Sequence, residues 1–408
     1  MNRKKLSLLL AGCAVMMTTG CGGGKPSTPT PAPPPPTPPI EATAPAAVCL
    51  YMDNSVSMAG YTADVTYINA LTKLVNVCDS TTVLKCADSY EALDKSKGNI
   101  IEQVKNLTYG KSSLLQDDLD HIVETYSDGT IDFYVTDGIL SGKSTDISNN
   151  RQWTLQQAAQ LKLSIEKTFT KARQKGLGVS VYQFMSLFNG TYYCYTNIDN
   201  VNIKSNRYFY VIAIGKPGVL LHFKENSVGK EFFQPTAAIH ILGEMPLRSP
   251  VISEKAQMGK FDAKALQNQE EGMRGMLPVI VKAGVLAPMY TTDDIQKLAD
   301  SVRVSVGNTL QNNIRATYDR GNNAFTFLIQ TQGRGDAFDI KVDIPYNMPE
   351  WVNACKQFDP YEGDLYMKDK NLCDSRTFML EHLIGGIVGG MTGDEALLYS
   401  STMHLEKQ

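Results

Sequence analysis

Residues 48–57, which read VCLYMDNSVS, decide how the rest of the chain is interpreted. The apolar run that opens this stretch is typical of a buried parallel β-strand. Asp53, Ser55 and Ser57 follow at the carboxyl end of that strand, where open α/β sheets bind ligands. One carboxylate and two hydroxyls at alternate positions are oxygen ligands of the kind that Mg²⁺ prefers. The same residue types also suit helix caps and Asx turns, so the motif needs support from elsewhere in the chain.

Two later stretches end in residues that fit the same site. Residues 110–113 read GKSS and precede a helix with apolar periodicity, so one of the two serines is placed to supply a third hydroxyl. Residues 131–138 read IDFYVTDG, a second buried strand that ends in Asp137. Because neighbouring parallel strands end at the same edge of a sheet, we expect Asp53 and Asp137 to lie close together.

In this order and context, these elements resemble the metal-ion-dependent adhesion site of the von Willebrand factor A (vWA) family. The resemblance covers roughly residues 47–224. It implies a site for Mg²⁺, with Mn²⁺ or Ca²⁺ as alternative ions, in which one coordination position stays open for a partner protein. The implied metal ligands are Asp53, Ser55, Ser57, Ser113 and Asp137.

The third hydroxyl is the point at which this chain departs from the family pattern. The family usually has Thr after a Gly at this position, whereas this chain has only serines there. Ser112 and Ser113 both qualify, and the choice between them stays open. We favour Ser113 because it keeps the family's spacing to the inward apolar position, Leu119.

The strand and helix patterns divide the chain into two folded parts. Strands alternate with helical periodicity over residues 47–224, which predicts an α/β domain: a vWA-like open, mainly parallel sheet with helices on both faces. Residues 225–408 predict a β-rich, sandwich-like C-terminal domain with a helix at 376–391. The short strand candidates in this second part are 237–242, 277–281, 302–306, 324–329 and 338–342.

The N-terminus has the features of a bacterial lipoprotein signal. Residues 1–20 combine three basic residues with an apolar run that is too short for a stable membrane span. Cys13 and Cys21 are alternative lipidation sites; Cys13 has the better lipobox, and we choose Cys21 because it gives the better signal length. We therefore expect a lipid anchor in the cell envelope. Gly22, where Asp would favour the inner membrane, favours the outer one.

A proline-rich segment follows the lipidation site. Residues 21–46 include the run PAPPPPTPP, which cannot bury a core and favours an extended polyproline stalk. The rest of the chain is long enough for more than one core, and its hydrophobic content of 43% is that of a globular protein. A formal charge of -3 argues against nucleic acid as a partner.

Cysteine usage in an exported chain predicts disulfides. Six of the eight cysteines remain after the signal, an even number. Proximity in the sequence favours Cys78–Cys86 and Cys355–Cys373 among the fifteen pairings that six cysteines allow.

We therefore expect a membrane-anchored binding protein and not an enzyme. Its metal would capture an acidic side chain of a partner protein, for adhesion or for assembly of an envelope complex. One alternative is a metal-assisted hydrolase, which needs a positioned general base that no stretch of the sequence supplies. The other is a structural envelope lipoprotein without a metal-dependent partner. Asp53→Ala would separate this last alternative from the first by its effect on partner capture.

Overall fold

Residues Thr37–Gln408 form one compact unit, and every residue described below belongs to it. Both candidate lipidation sites, Cys13 and Cys21, lie outside the described residues. The computed structural model describes residues 40–86, 89–110, 114–140, 155–193, 200–242, 260–268, 270–271, 274–282, 292–319, 321, 324–331, 334–357, 376–393 and 397–407.

A seven-stranded sheet organises the first part of the chain. Its strands are β1 (Ala47–Asp53), β2 (Thr81–Cys86), β3 (Tyr90–Ala92), β4 (Thr130–Thr136), β5 (Gly178–Tyr193), β6 (Asn200–Gly215) and β7 (Ala237–Ile241). They lie side by side in the order β3-β2-β1-β4-β6-β5-β7. The two predicted strands that end in Asp53 and Asp137 are β1 and β4, and they are direct neighbours.

The sheet is mixed. β2, β1 and β4 pair in parallel, and the remaining neighbours pair antiparallel. The predicted α/β class is therefore confirmed, and the sheet that was predicted to be mainly parallel is mixed, with parallel pairing among these three strands. The reason lies in the connections, because β5 and β6 form one long hairpin and adjacent strands of a hairpin must run antiparallel.

Five helices accompany this sheet within the described residues. The first helix, for example, buries Tyr67, Leu71 and Leu74 on one apolar face. Asp64 caps that helix by accepting a hydrogen bond from the Thr66 amide. The helices are α1 (Val65–Val75), α2 (Ile100–Lys105), α3 (Leu115–Thr125), α4 (Leu155–Gln174) and α5 (Pro217–Ser227).

One strand prediction needs correction. The strand expected at 237–242 in the C-terminal domain is β7, which pairs with β5 at the edge of the first sheet. A short apolar strand carries no local sign of the sheet that it joins, so its pattern alone assigned it wrongly. Beyond residue 183, where β5 ceases to pair with β7, the β5–β6 hairpin continues as its outer half. We call its two strand segments, 184–193 and 200–209, the arm.

The described residues of the C-terminal part form two largely antiparallel sheets and a small strand pair. One sheet has the order β11-β10-β14-β17-β8, with β8 alone pairing in parallel, and the other has the order β12-β13-β9. β-rich character is therefore confirmed, and sandwich-like packing of the sheets stays a prediction. The strands are β8 (Lys260–Phe261), β9 (Met276–Lys282), β10 (Arg303–Val306), β11 (Thr309–Leu310), β12 (Thr317–Asp319), β13 (Ala324–Gln330), β14 (Ala337–Pro345), β15 (Lys356–Gln357), β16 (Thr377–Phe378) and β17 (Leu397–Lys407).

Among the described residues of this part there are four α-helices, namely α6 (Ala263–Gln267), α7 (Thr292–Ser301), α8 (Glu350–Cys355) and α9 (Leu380–Thr392). The last is the helix predicted at 376–391, which begins only at Leu380 because Thr377–Phe378 form β16. Helix α9 packs directly on α4 through its glycines: a Cβ on Gly386 would lie 2.8 Å from Ile165 Cβ, and one on Gly390 would lie 2.7 Å from Phe169 Cβ. None of the helices in the described ranges has both the length and the hydropathy that a bilayer span requires.

The cysteines of the described residues are free thiols. Cys78 and Cys86, which the sequence pairs, are not bridged. Cys86 is fully buried on β2, whereas the Cys78 thiol donates to the Ser80 carbonyl 3.2 Å away, outside that strand. Cys355 is also a free thiol, and its predicted partner Cys373 lies outside the described residues.

Candidate metal centre

The parallel pairing of β1 with β4 places Asp53 and Asp137 at one edge of the sheet. Met52 is in register with Val135, so both strands end in an aspartate within one residue of each other along the ladder. Asp53 is 3% exposed and Asp137 4% exposed. The structure thus brings together the two carboxylates that the sequence singles out, in a setting that water barely reaches.

The chain after β1 folds back over its own carboxylate. Asp53 Oδ1 accepts a hydrogen bond from the Ser55 amide at 2.8 Å, which starts a 3₁₀ helix over Val56–Tyr61. This Asx turn is the capping arrangement that the motif also predicts. It leaves the Ser55 and Ser57 hydroxyls 3.1 Å apart, so the two predicted hydroxyls converge. Residues 53–61, the turn and its 3₁₀ helix, are called the metal loop below.

The segment around Gly110, which precedes the predicted third hydroxyl, contacts the metal loop. The Gly110 amide donates to the Asn54 carbonyl at 2.8 Å, and Ser55 forms an isolated β-bridge with Gly110. The segment that leads to the predicted third hydroxyl is therefore adjacent to the metal loop. Ser112 and Ser113 themselves lie outside the described residues.

A residue that the sequence reasoning missed holds the first carboxylate in place. The Thr136 hydroxyl donates to Asp53 Oδ2 at 2.8 Å and accepts from the Gly138 amide at 3.1 Å. Its side chain is fully buried. The only signal in the sequence is its position directly before Asp137, and that position alone does not tell whether the hydroxyl turns toward β1.

The electrostatics of the site follow from the proximity of the two carboxylates. Burial raises the pKa of the Asp137 carboxyl, and the neighbouring charge of Asp53 raises it further. Hydrogen bonds from Ser57 and from the Ile139 amide, and the positive charge of Arg207, act in the opposite direction. The edge of the sheet therefore carries negative charge that burial makes costly and that a cation would offset.

The donor set fits a small, hard cation. Neighbouring ligands of an octahedral Mg²⁺ site, with bonds of 2.0–2.1 Å, are about 2.9 Å apart, close to the separation of the two serine oxygens. Both Asp53 oxygens accept hydrogen bonds that orient the carboxylate, Oδ1 from the Ser55 amide and Oδ2 from the Thr136 hydroxyl. Within the described ranges, no group of three or more His, Cys, Asp or Glu side chains is placed to hold a metal. The candidate centre differs in kind, since hydroxyls complete its two carboxylates.

The arm packs against the metal loop. The Tyr61 hydroxyl donates to the Tyr208 carbonyl at 2.7 Å, and the rings of Tyr61 and Phe188 lie edge to face at 5.0 Å. Gly190 on the arm approaches the Gly60 backbone so closely that a Cβ would lie 2.9 Å from its Cα. These contacts fix the position of the 3₁₀ helix and, through it, of the serine hydroxyls.

The C-terminal half of the chain reaches the other side of the centre. The Tyr210 and Thr377 hydroxyls lie 2.9 Å apart, and the Tyr210 ring covers Gly138, whose φ of 73° is one that glycine adopts freely. A Cβ on Gly138 would also lie 3.5 Å from Thr377 Cγ2. β16 therefore lies directly against the turn that carries Asp137.

A buried arginine lies between these elements. Arg207 is 2% exposed, and its Nη2 donates to the Arg376 carbonyl at 3.5 Å. Its guanidinium carbon lies 5.7 Å from the centre of the Phe188 ring. The sequence gives no sign that Arg207 lies here, because its position depends on the pairing register of the arm.

The chain was also compared with known proteins. Comparisons with protein-family models, with curated proteins and with solved structures gave no match in any of the three. The interpretation of the site therefore rests on its own residues and their geometry.

Proposed function

We propose that the chain binds a divalent cation at the carboxyl ends of β1 and β4 and uses it to capture an acidic side chain of a partner protein. The observation that carries this proposal is the convergence of two buried carboxylates with the paired Ser55 and Ser57 hydroxyls. Asp53, Ser55, Ser57 and Asp137 would hold Mg²⁺, with Ser113 as the further hydroxyl of a vWA-like site.

The charge balance of the site favours a binding role. Two carboxylates offset the charge of the cation, and hydroxyl ligands add none, so a carboxylate from a partner still gains a direct bond to the metal. Ser55 is partly exposed, whereas Asp53 and Asp137 are buried. The partner's side chain would therefore approach from the serine side, in a protein that binds and does not catalyse.

The position of the linker supports presentation of this edge to a partner. The chain enters β1 at the opposite end, where the Thr43 amide donates to the Gly218 carbonyl and the Ala46 amide to the Gly129 carbonyl, at 2.9 and 2.8 Å. Seven residues of β1 separate the two ends by roughly 23 Å. With a lipid anchor at Cys21 and an extended stalk, the metal edge would point away from the bacterial outer membrane.

Calorimetric titration with Mg²⁺ and Mn²⁺ tests the proposal. The compact unit Thr37–Gln408 is the suitable chain, because it keeps the linker contacts. We expect one site in the wild type, and no binding in Asp53→Ala or Asp137→Ala. Asp128→Ala, which removes a carboxylate whose side chain is 84% exposed, serves as the matched control and should bind as the wild type does.

A second titration in the presence of acetate examines the open position. Acetate supplies the carboxylate that the partner would provide, and it should tighten metal binding in the wild type. Absence of metal binding both with and without acetate would overturn the proposal and leave the motif as a capping arrangement.

A further inference from the structure

We propose that the protein forms a dimer in which the β5 edges of two arms pair with each other. The inference goes beyond the proposed function, because strand pairing requires no metal ion. It rests on the place at which β5 loses its neighbour in the central sheet and on the composition of the edge that is then exposed.

β5 continues well beyond the end of its neighbour β7. β7 pairs with β5 from Val179 to Gln183, whereas β6 pairs with β5 as far as Tyr193. The Thr236 amide donates to the Gln183 carbonyl at 2.7 Å, and the residue before it, Pro235, has no amide with which to continue this ladder. Among the strands of the described ranges, none pairs with the outer edge of β5 beyond Gln183.

Alternate residues of this edge carry outward-facing backbone groups. In an antiparallel sheet, the amide and carbonyl of one residue point to one edge of the strand and those of the next residue to the other edge. Gln183 faces β7 through its carbonyl, so the backbone groups of Met185, Leu187 and Asn189 also face outward. They can pair with the same residues of a second copy through about six hydrogen bonds around a two-fold axis at Leu187. Leu187 is 43% exposed and Asn189 is exposed, so this part of the edge is accessible.

The composition of β5 favours pairing with a copy of itself. Its 16 residues, GVSVYQFMSLFNGTYY, include neither a charged residue nor a proline. Edge strands are usually protected from other chains by charges, by proline or by short length. The opposite edge of the same sheet is protected in this way, because β3 has 3 residues and Glu91 on it pairs with Lys85 at 2.8 Å. Two β5 edges would meet without like charges, and a two-fold axis makes them complementary.

Contacts on the other face of the arm prepare β5 for this pairing. Phe184 and Phe188 are each 1% exposed, and the Ser186 hydroxyl donates to Asp64 Oδ1 at 2.8 Å. A two-stranded ribbon alone is marginally stable in water, so these contacts hold the edge extended and lower the entropy cost of association. Because Phe188 also packs on Tyr61 in the metal loop, the dimer would join two candidate metal centres through their arms.

Sedimentation velocity of the compact unit Thr37–Gln408 over a wide range of concentrations tests the inference. We expect the wild type to shift from monomer to dimer as its concentration rises, both with Mn²⁺ and with EDTA. Leu187→Lys places two like charges opposite each other at the two-fold axis and should raise the Kd of the dimer about tenfold. Asn189→Pro removes an outward-facing amide, which an edge strand tolerates, and should also weaken the dimer. Leu163→Lys changes a leucine on α4 that is 60% exposed and should leave the Kd unchanged.

Circular dichroism of the three variants should match that of the wild type, because each replaced side chain is exposed. A wild type that stays monomeric at every concentration overturns the inference, and so does an unchanged Kd in both arm variants. Unfolded chains for both Leu187→Lys and Asn189→Pro would also overturn it, since an accessible edge must tolerate these changes. The metal titration is a separate measurement, so a failure of the proposed function would leave the dimer in place.

Discussion

At the scale of single residues, Thr136 determines how the first carboxylate is oriented. Thr136→Val keeps the shape of the side chain but leaves Asp53 Oδ2 and the Gly138 amide without their buried partner. We expect a loss of about 1–3 kcal/mol in the free energy of unfolding, because both groups stay desolvated. Because Thr136 orients a proposed metal ligand by this hydrogen bond, its loss should also lower the metal affinity about tenfold or more. Urea unfolding and Mn²⁺ titration measure the two effects.

A threonine away from the site provides the control for that substitution. The Thr170 hydroxyl donates to the Glu166 carbonyl within α4, so Thr170→Val removes a hydroxyl without touching the centre. It should leave Mn²⁺ affinity unchanged. Equal affinity in Thr136→Val and the wild type would contradict the role assigned to Thr136.

Asp132 makes stability depend on pH. Burial raises the pKa of its carboxyl to about 7, although hydrogen bonds from Thr130 and Cys49 lower it. In the unfolded chain the pKa of the same carboxyl is about 4. The folded state therefore retains a proton that the unfolded state releases between these values, so stability falls as pH rises through this window. Each pH unit within it costs at most about 1.4 kcal/mol.

Asp132→Asn removes this titration. In urea unfolding at pH 5, 6, 7 and 8, the variant should lose less stability with rising pH than the wild type does. Burial also raises the pKa of Asp118 to about 7, so part of the decline should remain. Asp128→Asn, at an exposed position, should keep the full wild-type decline. An unchanged decline in Asp132→Asn would show that Asp132 is already ionised in the folded state.

The residues of the site divide into those that a local pattern reveals and those that need the fold. Asp53, Ser55 and Asp137 follow apolar runs, and strand ends are where polar ligands collect, so their convergence could be predicted. The positions of Thr136 and Arg207 could not be predicted from the sequence. Thr136 acts across a strand pair, and Arg207 depends on a hairpin register that the sequence leaves open.

At the scale of elements, strand pairing could be predicted where the hydrophobic periodicity places a helix between two strands. Helices cross between β1, β2 and β4, and right-handed crossovers then require parallel neighbours, as found. β7 was misread because the period of a strand does not encode which partner the strand joins. Interstrand contacts that form at long range decide that choice.

The packing of α9 on α4 gives opposite expectations for two glycines that lie five residues apart, Gly385 and Gly390. A Cβ on Gly390 would overlap Phe169 Cβ and the backbone of α4, so Gly390→Ala should cost about 1–3 kcal/mol. A Cβ on Gly385 would meet only the end of the flexible Lys162 side chain, 3.3 Å away. Gly385→Ala should therefore gain up to about 1 kcal/mol from helix propensity.

Thermal and urea unfolding of the two alanine variants decide this prediction. Both substitutions lie in the same helix and add the same atoms, so each is the control for the other. A similar effect of both would mean that the glycines serve helix flexibility and not close approach to α4.

At the scale of the whole molecule, the C-terminal half packs against the first sheet and its helix α4. Helix α9 covers Ile165 and Phe169 on α4, both of which are fully buried. The Thr377 hydroxyl and the Trp351 ring, 6.5 Å from Tyr210 between centres, cover Tyr210 at the edge that holds the candidate centre. Loss of the C-terminal half alone would expose this apolar surface, so the two halves should depend on each other.

We therefore expect one cooperative unfolding transition for the compact unit Thr37–Gln408. In a Trp153→Phe chain, Trp351 is the sole tryptophan and reports the contact with Tyr210. Its fluorescence and the far-ultraviolet circular dichroism of the whole unit should change at the same temperature and the same urea concentration. A fluorescence change that precedes the loss of secondary structure would instead mean that the C-terminal half detaches first. In that case the candidate centre would lose its contact with β16 before the central sheet unfolds.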